Sequence, residues 1–208
     1  MYSIDKNNMH EYKIKSSVFK SYIYSIQSLD DIKEKINNLK LKHSSSNHIC
    51  YAYRYYSINN TDLFFDPIFN EFYNDDGEPS GAAGKPILNV IKKYDLVNVV
   101  LIVVRYYGGI KLGIRGLIDA YSDSAKFVVD NIILNNWTPK RNVEIIFDYK
   151  YESIVNKIIN CKSIQIINAD YSDSIKMFLS IDIKQYKRVE DDLSEKSNGT
   201  IHIEDCIC

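Results

Sequence analysis

The stretch LVNVVLIVV, residues 96–104, constrains this chain more than any other. Apart from one asparagine it is all valine, leucine and isoleucine, a run that suits a strand covered on both faces. RYYGGIKLGIRG follows at once, residues 105–116, with four glycines and three basic side chains. A chain that leaves a buried strand and then gives up its side chains needs backbone at positive φ. The alternative is that another group must come close to that backbone.

The flanking periodicities place this strand in an ordered series. EYKIKSSVFKSYIYSIQ has the partly alternating, β-rich character of one strand or two. Ser28 then stands where a helix cap is wanted, with Asp30 and Asp31 in the first turn. Leu29, Ile32, Ile36 and Leu39 recur at helical spacing, which predicts an amphipathic helix over 29–42. HICYAYRYYS reads as an aromatic-rich strand, and the stretch holding Asn59-Asn60 and Asp66-Pro67 as a loop. A short helix is expected over 87–94, with Pro86 tolerable only near its start. Leu117, Tyr121, Ala125, Val128 and Ile132 mark one face of a long helix over 116–134.

The polar stretch NNWTPKRN, 135–142, marks a boundary, so two domains are expected, 1–138 and 139–208. In the second, strands are expected at 142–149, 164–168, 175–183 and 200–203, and helices at 151–162 and 186–197. That β-α-β-β-α-β order predicts a ferredoxin-like sandwich, two helices on one face of a four-stranded antiparallel sheet.

Charge excludes a simple nucleic-acid glove. The net charge is −1, with 16 basic and 15 acidic residues in 1–138 and 10 and 12 in 139–208. Any anion site must therefore be a local cluster. Cys50, Cys161, Cys206 and Cys208 have neither disulfide-framework nor zinc-finger spacing and read as ordinary thiols. No apolar run reaches the ~18 residues of a membrane span. The start of the chain has no apolar leader segment, which predicts a cytoplasmic protein.

Seven of the eight glycines fall between Gly77 and Gly116. They form two clusters, each leading into a helix start. The first is Gly77 with Gly81 and Gly84 around Ser80; the second is Gly108, Gly109, Gly113 and Gly116. Helix starts carry unpaired N–H groups and partial positive charge. Lys85, Arg105, Lys111 and Arg115 add full charges there. The functional reading is an anion or nucleic-acid site lined by these four and by Gly108, Gly109 and Gly113. The bland reading is tight strand–turn–helix packing with solvated cations. Neither a P-loop nor a dinucleotide fingerprint is present. Asp75, Asp76 and Glu78 read better as a solvated tip, or as partners for Lys85 or Arg105, than as a metal site. His48 reads as structural before it reads as an acid or base. No serine has the surroundings of a nucleophile.

DDGEPSGAAGKPIL followed by VVRYYGGIKLGIRGLIDAY resembles the YigZ/IMPACT family, with secondary matches in KSSVF and NHICYAY. The resemblance covers roughly residues 10–135, and more weakly the second domain of the bacterial branch. It implies an α+β chain: an α/β sandwich like the second domain of ribosomal protein S5, then the ferredoxin-like βαββαβ domain, similar to late elongation-factor domains. Eukaryotic members restrain the amino-acid starvation response by competing for a ribosome-associated activator of the initiation-factor kinase. The resemblance implies a non-catalytic protein of translation or stress control, binding RNA, ribosome or a translation-associated partner through 75–86 and 105–121, with no cofactor and no membrane. It assigns Asp75, Asp76, Glu78, Ser80, Gly81, Gly84, Tyr106 and Tyr121 to a shared face. The alternative is a hydrolase or transferase acting on a phosphorylated or acidic small molecule. Ile114, Arg115 and Asp119 depart from the family pattern, which commonly has a hydroxyl at 114 and a base at 119.

Overall fold

The structure, a computed structural model of the chain, describes residues 1–57 and 68–205. The expected loop at 59–67 and the thiols Cys206 and Cys208 lie outside the described residues. Elements follow in the order β1 (Tyr2–Ser3), β2 (Asn8–Ile14), β3 (Ser17–Ser25), α1 (Leu29–Lys42), β4 (His48–Ser57), β5 (Ile68–Asn74), α2 (Gly84–Lys93), β6 (Val99–Tyr106) and α3 (Gly113–Asp130). Next come β7 (Asn135–Asn136), β8 (Lys140–Phe147), α4 (Glu152–Cys161), β9 (Gln165–Tyr171), β10 (Ile175–Asp182), α5 (Ile183–Lys196) and β11 (Ile203–Asp205). The chain divides into two compact units, Met1–Trp137 and Thr138–Cys208. It is an α+β protein.

In the first unit a five-stranded antiparallel sheet has the order β2-β3-β6-β4-β5. β6 lies at its centre, and both faces are covered. Leu101 and Val103 meet Ile87 and Ile91 of α2 and Leu117, Tyr121 and Ala125 of α3. Val100, Ile102 and Val104 meet Ile32, Ile36 and Leu39 of α1. This double cover is why β6 reads as an unbroken apolar run. Ser28 caps α1 as expected: its hydroxyl accepts from the Asp31 N–H at 3.2 Å, and the Asp31 carboxylate accepts from the Ser28 N–H at 3.1 Å.

In the second unit the sheet order is β11-β8-β10-β9, all antiparallel. Alternate residues of β8 and β10 (Val143, Ile145, Phe147, Ile175, Met177, Leu179, Ile181) share one buried cluster with Val155, Ile158 and Ile159 of α4 and Val189 and Leu193 of α5. This is the ferredoxin-like βαββαβ arrangement.

Several elements differ from the sequence expectation: α2 begins at Gly84 rather than 87, α5 at Ile183 rather than 186 and β8 at Lys140 rather than 142. α3 begins at Gly113 rather than 116, because Gly116 lies inside its first turn, where the absent Cβ leaves room for the Leu112 side chain (3.1 Å from an ideal Cβ). β11 begins at Ile203 rather than 200, since Thr200 is still held by the Ser197 carbonyl at 3.2 Å. β5, a sheet edge with an irregular burial pattern, has no clear period-2 signal and was not anticipated.

Candidate functional site

The first glycine cluster is organised around Asp75. Its carboxylate accepts three backbone N–H groups, Gly81 at 2.8 Å, Ala83 at 3.1 Å and Gly84 at 2.8 Å. These are donors at the start of α2, whose own cap position, Ala83, has no side-chain acceptor. The helix start is thus met by a carboxylate of the chain itself, the stabilising charge for that end. Gly84 packs on the backbone of Asn74: a Cβ there would lie 2.7 Å from the Asn74 oxygen and 2.8 Å from its nitrogen. Asp76 turns the other way. Its carboxylate accepts from the Ile49 N–H at 2.6 Å, and its carbonyl accepts from His48 Nδ1 at 2.8 Å.

Glu78 points inward. One oxygen, Oε1, accepts from Arg105 Nη1 at 2.5 Å and from the Tyr121 hydroxyl at 2.8 Å. The two charged residues are 8% and 5% exposed, so this is a buried ion pair. Arg105 lies between two rings, 5.5 Å from the Phe19 centroid and 5.6 Å from that of Tyr107. Its Nε is buried without a hydrogen-bond partner. Cys50 Sγ is 3.1 Å from the Asp75 carbonyl and 3.3 Å from the Tyr121 oxygen, and its single S–H serves one of them at a time. Burial pushes the Cys50 thiol well above its ordinary range, so it is no ready thiolate. Burial, with Cys50 and Glu78 alongside, also raises the Tyr121 hydroxyl, which stays a proton donor to Glu78. His48 stands at the rim, with Nε2 3.9 Å from Glu78 Oε1.

The second glycine cluster serves close approach first. A Cβ on Gly108 would fall 2.0 Å from the Ser16 carbonyl oxygen. The Gly108 N–H donates to Ser17 Oγ at 3.2 Å, and the Tyr107 N–H donates to Asn47 Oδ1 at 2.7 Å. Gly109 and Gly113 instead supply positive φ, +87° and +72°, with open space about them. The strand therefore ends in bare backbone because the β2–β3 turn lies against it.

Beyond that contact the segment is exposed. Tyr107 is 43%, Ile110 50% and Ile114 62% exposed. Lys111 is exposed and forms no ion pair among the described residues, whereas Arg115 lies 3.4 Å from Asp119 one helical turn on. Lys85 and Ser80 are exposed on the first cluster.

The structure thus gathers Glu78, Arg105 and Tyr121 into one buried network, which Cys50 links to the half-buried Asp75. Tyr106, expected on the same face, is a correction: strand side chains alternate, so it projects to the opposite face of the sheet from Arg105. There its hydroxyl is 2.7 Å from His43 Nδ1, whose Nε2 is 2.8 Å from the Tyr22 hydroxyl. Burial, then Lys42 and Lys20, lower the His43 pKa. The sequence gives no sign of His43 and reads Cys50 only as an ordinary thiol, because nothing local marks them; their partners lie 21 to 71 residues away. Among the described residues no group of three or more His, Cys, Asp or Glu is placed to hold a metal ion, and no helix is long and apolar enough to cross a membrane.

A family model described as the Impact N-terminal domain matches residues 15–129. An IMPACT family member of Haemophilus influenzae is 29% identical over 194 residues, covering 93% of this chain and 91% of that one. IMPACT family member YvyE of Bacillus subtilis is 28% identical over 204 residues, 98% and 90% of the two chains. Protein IMPACT of Danio rerio is 32% identical over 99 residues, 47% of this chain and 29% of that one. A crystal structure of a hypothetical protein superposes with a TM-score of 0.62 at 23% identity, over 98% of this chain and 96% of the other, and shares the fold. The match to the family model contains both glycine clusters and the buried network between them, and the chain belongs to the Impact N-terminal domain family.

Proposed function

We propose that this chain is a non-catalytic binding protein of translation or stress control, and that it meets its partner through the exposed part of the motif face, residues 107–115 with Lys85. One observation carries this reading. Each motif carboxylate has work inside the fold: Asp75 on the α2 start, Asp76 on the Ile49 N–H, Glu78 on Arg105 and Tyr121. What remains for a partner is an exposed segment carrying Lys111, Tyr107, Ile110 and Ile114. Family membership supports the link to translation, and the partner class is RNA, the ribosome or a ribosome-bound factor.

The test is co-sedimentation with ribosomes isolated at low salt, so that bound factors are retained, for wild type and Lys111→Ala. Wild type is expected in the pellet and the variant depleted from it. A folded wild type that stays in the supernatant, and binds no RNA, overturns the reading. Arg105→Ala is unsuited to this test, because Arg105 is a buried partner of Glu78.

The enzyme alternative rests on His48. Its Nδ1–H is fixed on the Asp76 carbonyl, while Nε2 stands beside the buried Glu78 carboxylate. Such a histidine is placed for proton transfer to an acidic small molecule. A phosphatase, nuclease and peptidase screen, with His48→Gln as control, decides it: turnover lost in the variant would support the alternative.

A further inference from the structure

We infer that the partner's contact surface on this segment is protein, an apolar row flanked by carboxylates, rather than a nucleic-acid backbone. The inference rests on the binding-protein reading above and names the chemistry of its partner. Tyr107, Ile110 and Ile114 are all large, all more than two-fifths exposed, and all within eight residues of one another. Three exposed large apolar side chains this close along the chain are more than the single scattered ones a solvated surface carries. The segment is also held in place. Gly108 is clamped on Ser16, Tyr107 is bonded to Asn47, and Leu112 packs against the core cluster below. A pre-organised apolar surface spends little ordering entropy on binding.

Charge decides between protein and nucleic acid. Of the basic residues in 105–116, Arg105 is buried against Glu78 and Arg115 is paired with Asp119. Lys111 remains, Lys15 adjoins the segment through its neighbour Ser16, and Lys85 belongs to the same face; all three are exposed and form no ion pair among the described residues. Three lysines neutralise three phosphates, a salt dependence of only ~−2.1 in the log–log slope on a single strand, where phosphate-tracking proteins make ~6–10 such contacts. Three lysines beside three apolar side chains instead complement a short segment with leucine-like residues and flanking Asp or Glu. The isoleucines offer no ring to stack on a base, which leaves Tyr107 as the one aromatic side chain of 107–115.

The experiment uses the full chain and three labelled probes: an amphipathic peptide whose leucine row is flanked by glutamates, its scrambled counterpart, and single-stranded oligouridylate. Fluorescence anisotropy is read for wild type, Lys111→Ala and Ile110→Ser/Ile114→Ser. The two isoleucines are half exposed or more, so the double variant keeps its fold, which circular dichroism checks. The amphipathic peptide is expected to bind tighter than the scrambled one, with about a tenfold or greater loss in Ile110→Ser/Ile114→Ser and a smaller one in Lys111→Ala. Equal binding of the two peptides, or an unchanged affinity in the isoleucine variant, overturns the inference. So does oligouridylate binding tighter than the peptide. Ribosome co-sedimentation separates the two claims. If wild type pellets with ribosomes but ignores the peptide, the partner chemistry fails and the translation reading stands; if it binds the peptide and never pellets, the reverse holds.

Discussion

Gly108→Ala tests the reason for the glycines most sharply. In the folded chain the new Cβ would lie 2.0 Å from the Ser16 oxygen, 2.1 Å from the Ser16 carbonyl carbon and 2.6 Å from the Ser16 Cβ. Two of these are main-chain atoms, and the turn they belong to is constrained. Lys15 and Ser16 hold positive φ, 45° and 67°, in the tight connection from Ile14 to Ser17. Giving way would loosen the β3–β6 pairing, which starts at Val18 opposite Tyr106. Overpacking against side chains costs about 1–3 kcal/mol, and here the obstacle is backbone, so ~3 kcal/mol or more is expected. Gly109→Ala is the control: its φ is +87°, yet nothing stands within 4 Å, so only the left-handed penalty of about 1–2 kcal/mol applies. The assay is urea unfolding followed by Trp137, the single tryptophan, which packs edge-on to Tyr56 at 5.0 Å and reports the first unit. Gly108→Ala is expected to lower the midpoint clearly more than Gly109→Ala, at unchanged slope. Equal effects, or a larger one at 109, would refute the close-approach argument.

The other expectations follow from the site. Asp75→Ala strips three N–H groups of their acceptor and is expected to cost about 2–4 kcal/mol, with Asp75→Asn recovering part, by the same unfolding assay. Glu78→Ala leaves Arg105 buried and uncompensated, an expected loss of about 3–5 kcal/mol, whereas Ser80→Ala, on an exposed residue, stays within ~0.5 kcal/mol. His43, buried beside Lys42 and Lys20, has a folded pKa below its ordinary 6.5. The unfolded chain then binds the proton more readily, so this contribution to stability is full above about pH 6.5 and falls away as the pH drops below it. Proton resonances should show His43 titrating below pH 6.5, and His43→Gln should flatten the acid limb of the stability profile.

The parts of this fold that were legible in the sequence are those where burial imposes a period. β6, covered on both faces, reads as a run; α1 announces itself through Ser28, Asp31 and the Ile32–Ile36–Leu39 stripe; β10 alternates without a break. β5 was hidden because an edge strand need not alternate, and α3 began early because Gly116 works as a packing residue rather than a helix breaker. At the site, local sequence raised the idea that an acidic residue neutralises Arg105. It could not choose Glu78 from Asp75 and Asp76, since three adjacent-looking carboxylates leave one turn in three directions. Nor did it place Tyr106 and Tyr121 on different faces, a matter of which residue of β6 points to which helix. Motif membership groups residues by sequence; the sheet separates them by parity.

The measurement that bears most directly on the whole account is ribosome co-sedimentation of wild type beside Ile110→Ser/Ile114→Ser and Lys111→Ala, each confirmed folded. Wild type is expected in the pellet and both variants depleted, the isoleucine variant more strongly. A pellet as rich in the variants as in wild type would mean that the exposed 107–115 segment is not what the partner touches.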